Sequence, residues 1–486
     1  AIYKRELKSY FRSFIGFLFI AVTLFFLGLY FSVYNLMNGY PYFAYVVSSV
    51  TFLFMLTVPI LTMRILAEEK RSKTDQLILT APVSVGGIVM GKFLALLTIF
   101  AIPVAIICFY PLIMAQYGSV PMGEAYLSIL AYFLFGMTAI AIGLFLSSVT
   151  ESQVIAAVLT FLVLFLGYMM DSICSIISST GNLLTKLLRC FDLYTPFSNL
   201  LNGTLDVSSI VYYVSVTALV LFLTVQSIQK RRYSMSVKNL SFSAYSTGMI
   251  AVAVALVVVV NIIMGEMPSG WTAIDMTSQK LYSLTDQTVD YVKNMQDDVT
   301  IYVLVNQDNQ DTTLGQTLQR YDDLSDHITV EYVDPTVNPM FYTQYTTGNI
   351  STNSLIVVSE KRSKVIDYND VYESSYDFDY STYSYNTTTT GYDGEGQITS
   401  ALDYVLNDDM PKVYMTTGHN ELSLSNTFTS ALNKENVTYE SLNLMDVDTI
   451  PEDAACLFIN GATSDFSSDD KDKVIDYLNN GGKVIL

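Results

Sequence analysis

The chain is poor in the residues that most often carry chemistry. Its 486 residues include two His, four Cys and one Trp. Four cysteines do not make a disulfide framework. Cys108 lies in an apolar run and Cys456 in a strand-like run; Cys174 and Cys190 share one segment, where either a bonded pair or two free thiols fits. No Ser or Cys sits in a recognisable nucleophile turn. Positive charge is also short: 26 Lys and Arg face 45 Asp and Glu, a formal net charge of −19. Residues 1–264 hold fifteen basic and nine acidic side chains, whereas residues 265–486 hold eleven and thirty-six. An acidic half of this kind lacks the cations that phosphate contacts need, which excludes nucleic acid as a partner. In the first half Glu124, Glu151 and Asp171 fall at the ends of apolar runs, where water solvates them, and no opposite charges meet mid-run. That excludes a proton or sodium pathway built from paired intramembrane charges.

Apolar runs are abundant. Hydrophobic residues make up 51% of the chain, and stretches of about 20 apolar residues are long enough to cross a bilayer. Seven such runs are expected near Phe14–Met37, Phe43–Leu66, Phe93–Gln116, Ala125–Ser147, Val154–Met170, Ser208–Ile228 and Gly248–Met264, the last short and carrying Asn261. Lys and Arg fix the orientation. With the N-terminus inside, thirteen basic residues lie on the cytoplasmic side, and only Lys186 and Arg189 lie in the outer loops. Seven crossings then place residues 265–486 outside the plasma (inner) membrane. Residues 1–13 read as an interfacial basic helix or as a simple basic flank. Residues 171–205 are too broken to cross; they fit a pair of re-entrant or interfacial helices, or a packed loop. The chain begins with Ala1 and ends on the strand-like GGKVIL, so both ends read as trimmed or disordered in a parent protein, and no cleavable signal peptide is visible.

After Gly265 the periodicity changes. Strand-like runs at Val299–Val305, Ile328–Asp334, Ser354–Ser359, Lys412–Thr417, Val437–Leu444, Ala455–Asn460 and Lys483–Leu486 alternate with amphipathic helical patterns at Thr285–Met295, Thr313–Ser325, Gly396–Asn407, Ser425–Glu435 and Ser467–Asn479. Such alternation predicts an α/β domain with a mainly parallel sheet. Residues 372–396, crowded with Tyr, Ser and Thr, read as a long loop. It is either a surface excursion or a stacking surface that includes Tyr383 and Tyr385. Trp271 falls near the membrane exit.

Two motifs stand out. Residues 67–92, AEEKRSKTDQLILTAPVSVGGIVMGK, form a short charged connection between two apolar runs. Its end, GGIVMGKF, nearly matches a phosphate loop, but Phe93 stands where Ser or Thr holds magnesium, no strand precedes it and a span follows. A tight glycine turn into the third span, with Lys92 at the interface, explains it. No ATPase of the chain's own is expected. The second motif is Gly418-His419-Asn420-Glu421, directly after a strand, where open α/β sheets bind ligands. Its His–Glu pair fits a structural role, ligand or metal binding, or acid–base chemistry. His327, at a helix-to-strand turn, reads as structural.

Residues 1–230 resemble type-2 ABC exporter permeases, in the six-span layout and in the loop Glu68-Glu69-Lys70-Arg71-Ser72-Lys73-Thr74 followed by Leu77, Leu79-Thr80-Ala81-Pro82 and Gly91-Lys92. Residues 248–486 resemble the auxiliary protein of gliding-motility (Gld) type ABC systems, in Asp275-Met276-Thr277, Lys280-Leu281-Tyr282-Ser283-Leu284, Val333-Asp334-Pro335, Gly394-Glu395-Gly396-Gln397-Ile398-Thr399 and Gly418-His419-Asn420-Glu421. The resemblance implies a permease domain over 1–230, a linker with a seventh span over 231–264 and an extracytoplasmic auxiliary domain over 265–486, incomplete at its C-terminus. It implies a coupling loop for a separate ATPase that includes Glu68, Glu69, Lys70, Arg71, Thr74, Leu79 and Pro82. It also implies an ectodomain ligand site, with a sugar as one ligand class, near His419, Glu421, Glu395, Tyr383 and Tyr385. Partners would be the ATPase subunit, a second permease copy or paralogue, and lipid. The chain itself would bind no cofactor or metal and catalyse nothing, with ATP and Mg on the ATPase. The alternative is a non-transporting receptor or mechanical complex that binds wall polymer or protein.

Overall fold

The computed structural model describes all residues except 1, 75–82, 178–182, 233–239, 266, 268–271, 278–279, 282, 306–308, 349 and 380–383. The chain divides into two units, Ala1–Ser283 and Leu284–Leu486.

The first unit opens with α1 (Ile2–Arg12), an amphipathic helix with Glu6 and Tyr10 on its buried side. Then come α2 (Phe14–Phe31), which continues through wider π turns to Met37, α3 (Ala44–Thr62), α4 (Arg64–Arg71), α5 (Val85–Ile107), α6 (Tyr110–Met114) and α7 (Met122–Val149). Three shorter pieces follow α8 (Gln153–Tyr168): α9 (Met170–Ile177), α10 (Leu183–Arg189) and α11 (Thr195–Leu201). Strand β1 (Thr204–Asp206) leads into α12 (Val207–Arg232), and α13 (Leu240–Gly265) follows. Among the described residues six helical stretches are long and apolar enough to cross a membrane, or seven if α8 and α9, bent by 56°, count as one. The fifth expected span is therefore broken. At 16 residues α8 reaches only about 24 Å, short of the ~30 Å hydrocarbon core, without its bent continuation.

Helix α7 is the axle of this bundle, with 72% of its most apolar stretch buried. Close approach explains its glycines. A Cβ at Gly136 would stand 2.3 Å from the Phe100 ring, with Phe54 at 3.1 Å. Where the second span breaks at Met63, Ser147 of α7 repairs it. Its Oγ accepts from the backbone N–H of Leu66 (3.2 Å) and Ala67 (3.1 Å) and donates to the Met63 carbonyl (3.1 Å). One hydroxyl thus satisfies groups that the helix break would leave bare in an apolar bundle. At the other end Phe197 and Leu200 of α11 plug into the core. The described part of 171–205 thus holds short helices, the last packed onto the bundle. Asn261 of α13 donates to Ser215 Oγ of α12 (2.9 Å), as small polar groups do between apolar helices. No residue in the most apolar stretch of α13 is buried. Beyond α13, β2 (Ala273–Asp275) pairs antiparallel with β1, so residues 273–283 pack with the first unit.

The second unit has two lobes. In the first, α14 (Asp286–Asn294), β3 (Val299–Val303), α15 (Thr312–Leu324), β4 (Ile328–Tyr332), β5 (Leu355–Val358) and β6 (Ser363–Ile366) give a sheet of order β4-β3-β5-β6. Only β3 and β4 are parallel, so this sheet is mixed. The turn α16 (Tyr368–Val371) leads into a hairpin, β7 (Tyr372–Asp379) and β8 (Ser384–Tyr392), paired antiparallel with a bulge at Glu373/Ser374. This corrects the reading of 372–396 as a loop. Tyr, Thr and Ser suit a pleated backbone, and the stretch lacks the apolar alternation that marks a strand facing a core. Helix α17 (Gly394–Leu406) then returns to the first core. In the second lobe, β9 (Lys412–Thr417), α18 (Asn426–Lys434), β10 (Thr438–Asn443), β11 (Cys456–Phe458), α19 (Ser468–Asn479) and β12 (Val484–Ile485) build an all-parallel sheet of order β10-β9-β11-β12. Asn436 joins the lobes. Its side chain donates to the Ser400 carbonyl (2.8 Å) and Asp403 (3.1 Å) and accepts from Lys364 Nζ (2.7 Å). The four cysteines are free, Cys174 and Cys190 included.

Candidate functional site

Two arrangements of charged residues answer to the sequence motifs, one in each unit. The first sits where α1, α4 and α5 meet. Lys92 is the only charged residue between Asp75 and Glu124. It does not face water at an interface, as expected, but has no exposed surface at all. A buried ammonium must have its donors filled, and all three are: Glu69 Oε1 at 2.9 Å, Glu6 Oε1 at 3.2 Å and the Ile65 carbonyl at 3.1 Å. Arg5 closes the ring, with Nη2 2.6 Å from Glu6 Oε1 and 3.0 Å from Glu69 Oε1. Glu6 contributes most to raising the Arg5 pKa. The set is neutral, two cations and two carboxylates from three helices. Tyr10 adds a hydrogen bond to the Leu61 carbonyl (2.9 Å), and Tyr3 one with Thr98 (3.1 Å). Helix α1 is therefore docked onto the ends of the second and third spans rather than merely lying beside them.

The sequence had pointed to Lys92 only as the end of a glycine turn, and not to Glu6 at all. The available signals were a lone lysine in an apolar run and a lone acid in a basic helix. The coupling-loop residues separate. Glu69 is taken up inside the chain. Glu68 pairs with Arg64 one turn away, and Lys70 donates to the Val149 carbonyl (2.9 Å). Arg71 and Thr74 are exposed. A cleft of about 250 Å³ opens beside them, lined by Arg5, Glu6, Tyr10, Arg64, Glu68 and Thr74 among others. Leu79 and Pro82 lie outside the described residues.

The second arrangement follows β9. Gly418 (φ 109°) and Asn420 (φ 58°) turn the chain sharply, a conformation that glycine and asparagine tolerate. His419 folds inward, 3% exposed, its ring stacked on Phe466 at 4.0 Å. Nδ1 stands 3.5 Å from Glu421 Oε1, and Nε2 stands 3.3 Å from Asp470 Oδ2. Asp470 came from the capping pattern Ser467–Asp470, which is reciprocal: the Asp470 N–H donates to Ser467 Oγ, and the Ser467 hydroxyl donates to the Asp470 carboxylate. Burial raises the Glu421 carboxyl, but its own backbone N–H and that of His419, then Thr416 and His419, more than offset this and hold it below the usual range. The Ser467 hydroxyl, against burial and with Lys473 and His419, lowers Asp470 likewise. The Thr463 and Ser464 N–H groups donate to the His419 carbonyl, and Leu422 and Asn460 exchange bonds. The motif thus staples the β9 turn to the β11–α19 loop.

The other proposed site residues are not brought here. Glu395 accepts from the Thr285 N–H and hydroxyl, both at 2.7 Å, at the start of α14 in the first lobe. Tyr385 lies on β8, and Tyr383 is outside the described residues. Among the described residues no group of three or more His, Cys, Asp and Glu side chains is placed to hold a metal ion.

Comparison with known families bears on both units. Residues 30–229 match the ABC-2 family transporter protein model. Over those residues the match supports a membrane subunit of an ABC transporter, and such a domain implies an ABC ATPase partner. The match covers less than half of the chain. Residues 278–371 match a domain of unknown function, DUF7088, and the resemblance to the Gld-type auxiliary protein goes no further than that. No curated protein matches the chain.

Proposed function

We propose that the chain is the membrane subunit of an exporter, with its N-terminus cytoplasmic and its second unit extracytoplasmic. In this reading α8 and α9 form one crossing, and the excess of Lys and Arg near α1, α4 and residues 230–238 marks the cytoplasmic side. A separate ATPase, carrying ATP and Mg, docks on exposed residues 71–74 and the connection that follows. Two copies, or one copy and a paralogue, form the path, since one chain supplies only six permease spans. The second unit gathers or guides cargo, or holds a partner.

The buried Lys92 joint carries this reading. The docking loop joins α4 to α5, and the joint ties both ends of that loop to α1. A push on the loop therefore moves the second and third spans together with α1 instead of bending the loop. Helix α4 itself begins at the Met63 break, which Ser147 holds, so motion there passes to the central helix α7. In this reading the second unit acts by binding rather than catalysis: His419 is enclosed between Glu421, Asp470 and Phe466 and does not face a substrate. The test is co-purification of the chain in mild detergent from its native membrane. A P-loop ATPase in near-equal amount supports the reading. Its absence beside an intact, folded chain favours a membrane-anchored receptor.

A further inference from the structure

At the end of the helical bundle opposite the Lys92 joint lies a cleft of about 330 Å³, formed wholly within the first unit. That it is the opposite end follows from the helices. Glu69 closes the second span whose start bears Tyr45, and Val149, bonded to Lys70, ends the helix whose first turn bears Glu124. The cleft is lined by Tyr42 and Tyr45 at the start of α3, Tyr194 at the start of α11, Glu124 of α7, and the polar Ser198 and Asn202. Its size falls at the lower end of small-molecule sites and leaves no room for a polypeptide segment.

The lining has a definite chemistry. Three tyrosines present ring faces and edges, and a further ring, Tyr40, stacks at an angle on Tyr45 with centroids 5.9 Å apart. The Tyr42 and Tyr45 rings meet edge to face at 6.4 Å, and Tyr194 is held edge to face against Tyr168 at 4.6 Å. The walls are thus braced from behind. Glu124 brings a carboxylate, packed against the Gly203 turn, where a Cβ would stand 3.0 Å from its Cγ. Tyr42 and Glu124 line the same cleft, and after burial the Glu124 charge is the next cause raising the Tyr42 hydroxyl. Behind the wall, Asp192 accepts from the Tyr194 backbone N–H (2.9 Å), and Asp275, held by Thr277 and Ser283, belongs to the segment that supplies Thr277 and Leu281. Among the described lining residues Glu124 is the one that carries a charge.

Electron-rich ring faces with a carboxylate recognise an organic cation. We propose that this cleft binds an organic ammonium group, either the amine or quaternary ammonium of a small cargo molecule or the head of a choline lipid. A carboxylate paired with aromatic walls discriminates by charge and by dispersed positive surface rather than by directional hydrogen bonds. It therefore accepts a family of cations of similar size and rejects neutral isosteres. Thr277 and Leu281, from the segment after the last span, also line the cleft. An occupant therefore touches the second span, the central helix and the segment that leads on to the second unit at once. The inference names a ligand class for the proposed exporter, but its test needs no ATPase, so the two stand or fall separately.

The test uses the full chain in maltoside detergent, which carries no ammonium group, with tetraethylammonium and choline as probes and 3,3-dimethylbutanol as the neutral isostere of choline, read by calorimetry. Saturable binding of the cations and none of the alcohol is expected. Glu124→Gln should raise the apparent Kd about tenfold. Tyr45→Ala should weaken binding about three- to tenfold, with Tyr45→Phe close to the native chain. In nanodiscs, competition of the soluble cations by phosphatidylcholine but not by phosphatidylglycerol assigns the site to lipid heads, and equal binding in both assigns it to small cargo. Absence of saturable cation binding by the folded chain, or an unchanged Kd in Glu124→Gln, overturns the proposal.

Discussion

Replacing Lys92 by Met tests the ionic joint at its centre. Met keeps the length and apolar stem of the side chain and removes only the charge and its donors. In the native chain the ammonium is fully enclosed and meets three acceptors. Without it, Glu6 and Glu69, whose side chains are 11% and 19% exposed, share a single counter-ion, Arg5, itself half exposed. Removing one partner of a buried ion pair costs about 3–5 kcal/mol. The surviving Arg5 and the residual exposure place this case at the low end, about 3 kcal/mol. For a unit of this size each kcal/mol lowers the melting temperature by about 2 °C, which gives a fall of about 6 °C. A thiol-reactive dye reads the transition through the native cysteines, of which Cys174 is buried, at one fixed scan rate. Adding Glu6→Gln removes the surplus negative charge and should restore more than half of the loss, because the two changes act on one network. If Lys92→Met melts within about 1 °C of the native chain, the joint is not a desolvated pair and α1 is not held as described.

Other consequences follow from the second unit. Glu421 and Asp470 have carboxyls held below their ordinary range when folded. Their stabilisation is therefore present above the ordinary carboxylate pKa and is lost as the pH falls through the folded values. Hydrogen exchange in peptides covering 412–425 and 463–479, corrected for its intrinsic pH dependence, should show protection falling below about pH 4. Glu421→Gln should flatten that dependence, and an unchanged profile would count against it. Asn436→Ala removes the bonds between the lobes and places alanine, which tolerates the left-handed region less well than asparagine, at φ 56°. A loss of about 2 kcal/mol is expected, read as faster proteolysis between α17 and β9. Asn436→Gly should lose less, because only the side-chain part is removed; equal losses would place the whole effect in the hydrogen bonds.

Local pattern carried much of this architecture into the sequence. The spans are apolar over their whole length, so their existence is legible, although the helices of the third and seventh spans start at Val85 and Leu240, eight residues before the expected Phe93 and Gly248. The strand Lys412–Thr417 falls where its β-rich run is read, and helix Ser468–Asn479 starts at the Ser467 cap. Contacts between distant segments were not legible. Glu6, Glu69 and Lys92 are separated by tens of residues, and nothing in periodicity says that they share one buried point. The bend at Met169 hides inside a continuous apolar run. The first sheet of the second unit reads as parallel from strand–helix alternation, yet β5 and β6 follow one another as a hairpin, Leu355 pairing with Ile366. The His419 motif was legible as a turn at a strand end. That its ring is closed in by Asp470 and Phe466, nearly fifty residues later, depends on the parallel sheet bringing the β9 and β11 ends side by side.

The central claim is that a separate ATPase grips the end of the bundle that bears α1 and α4. The most direct measurement is site-specific crosslinking in the native membrane from a photoreactive residue at Arg71 or Thr74, both exposed, with the partner identified by mass spectrometry. The account predicts a crosslink to a P-loop ATPase from both positions, and none from Tyr45 at the far end. A crosslink to such an ATPase from Tyr45, or only lipid and chain-internal products from Arg71 and Thr74 while the ATPase co-purifies, would contradict it.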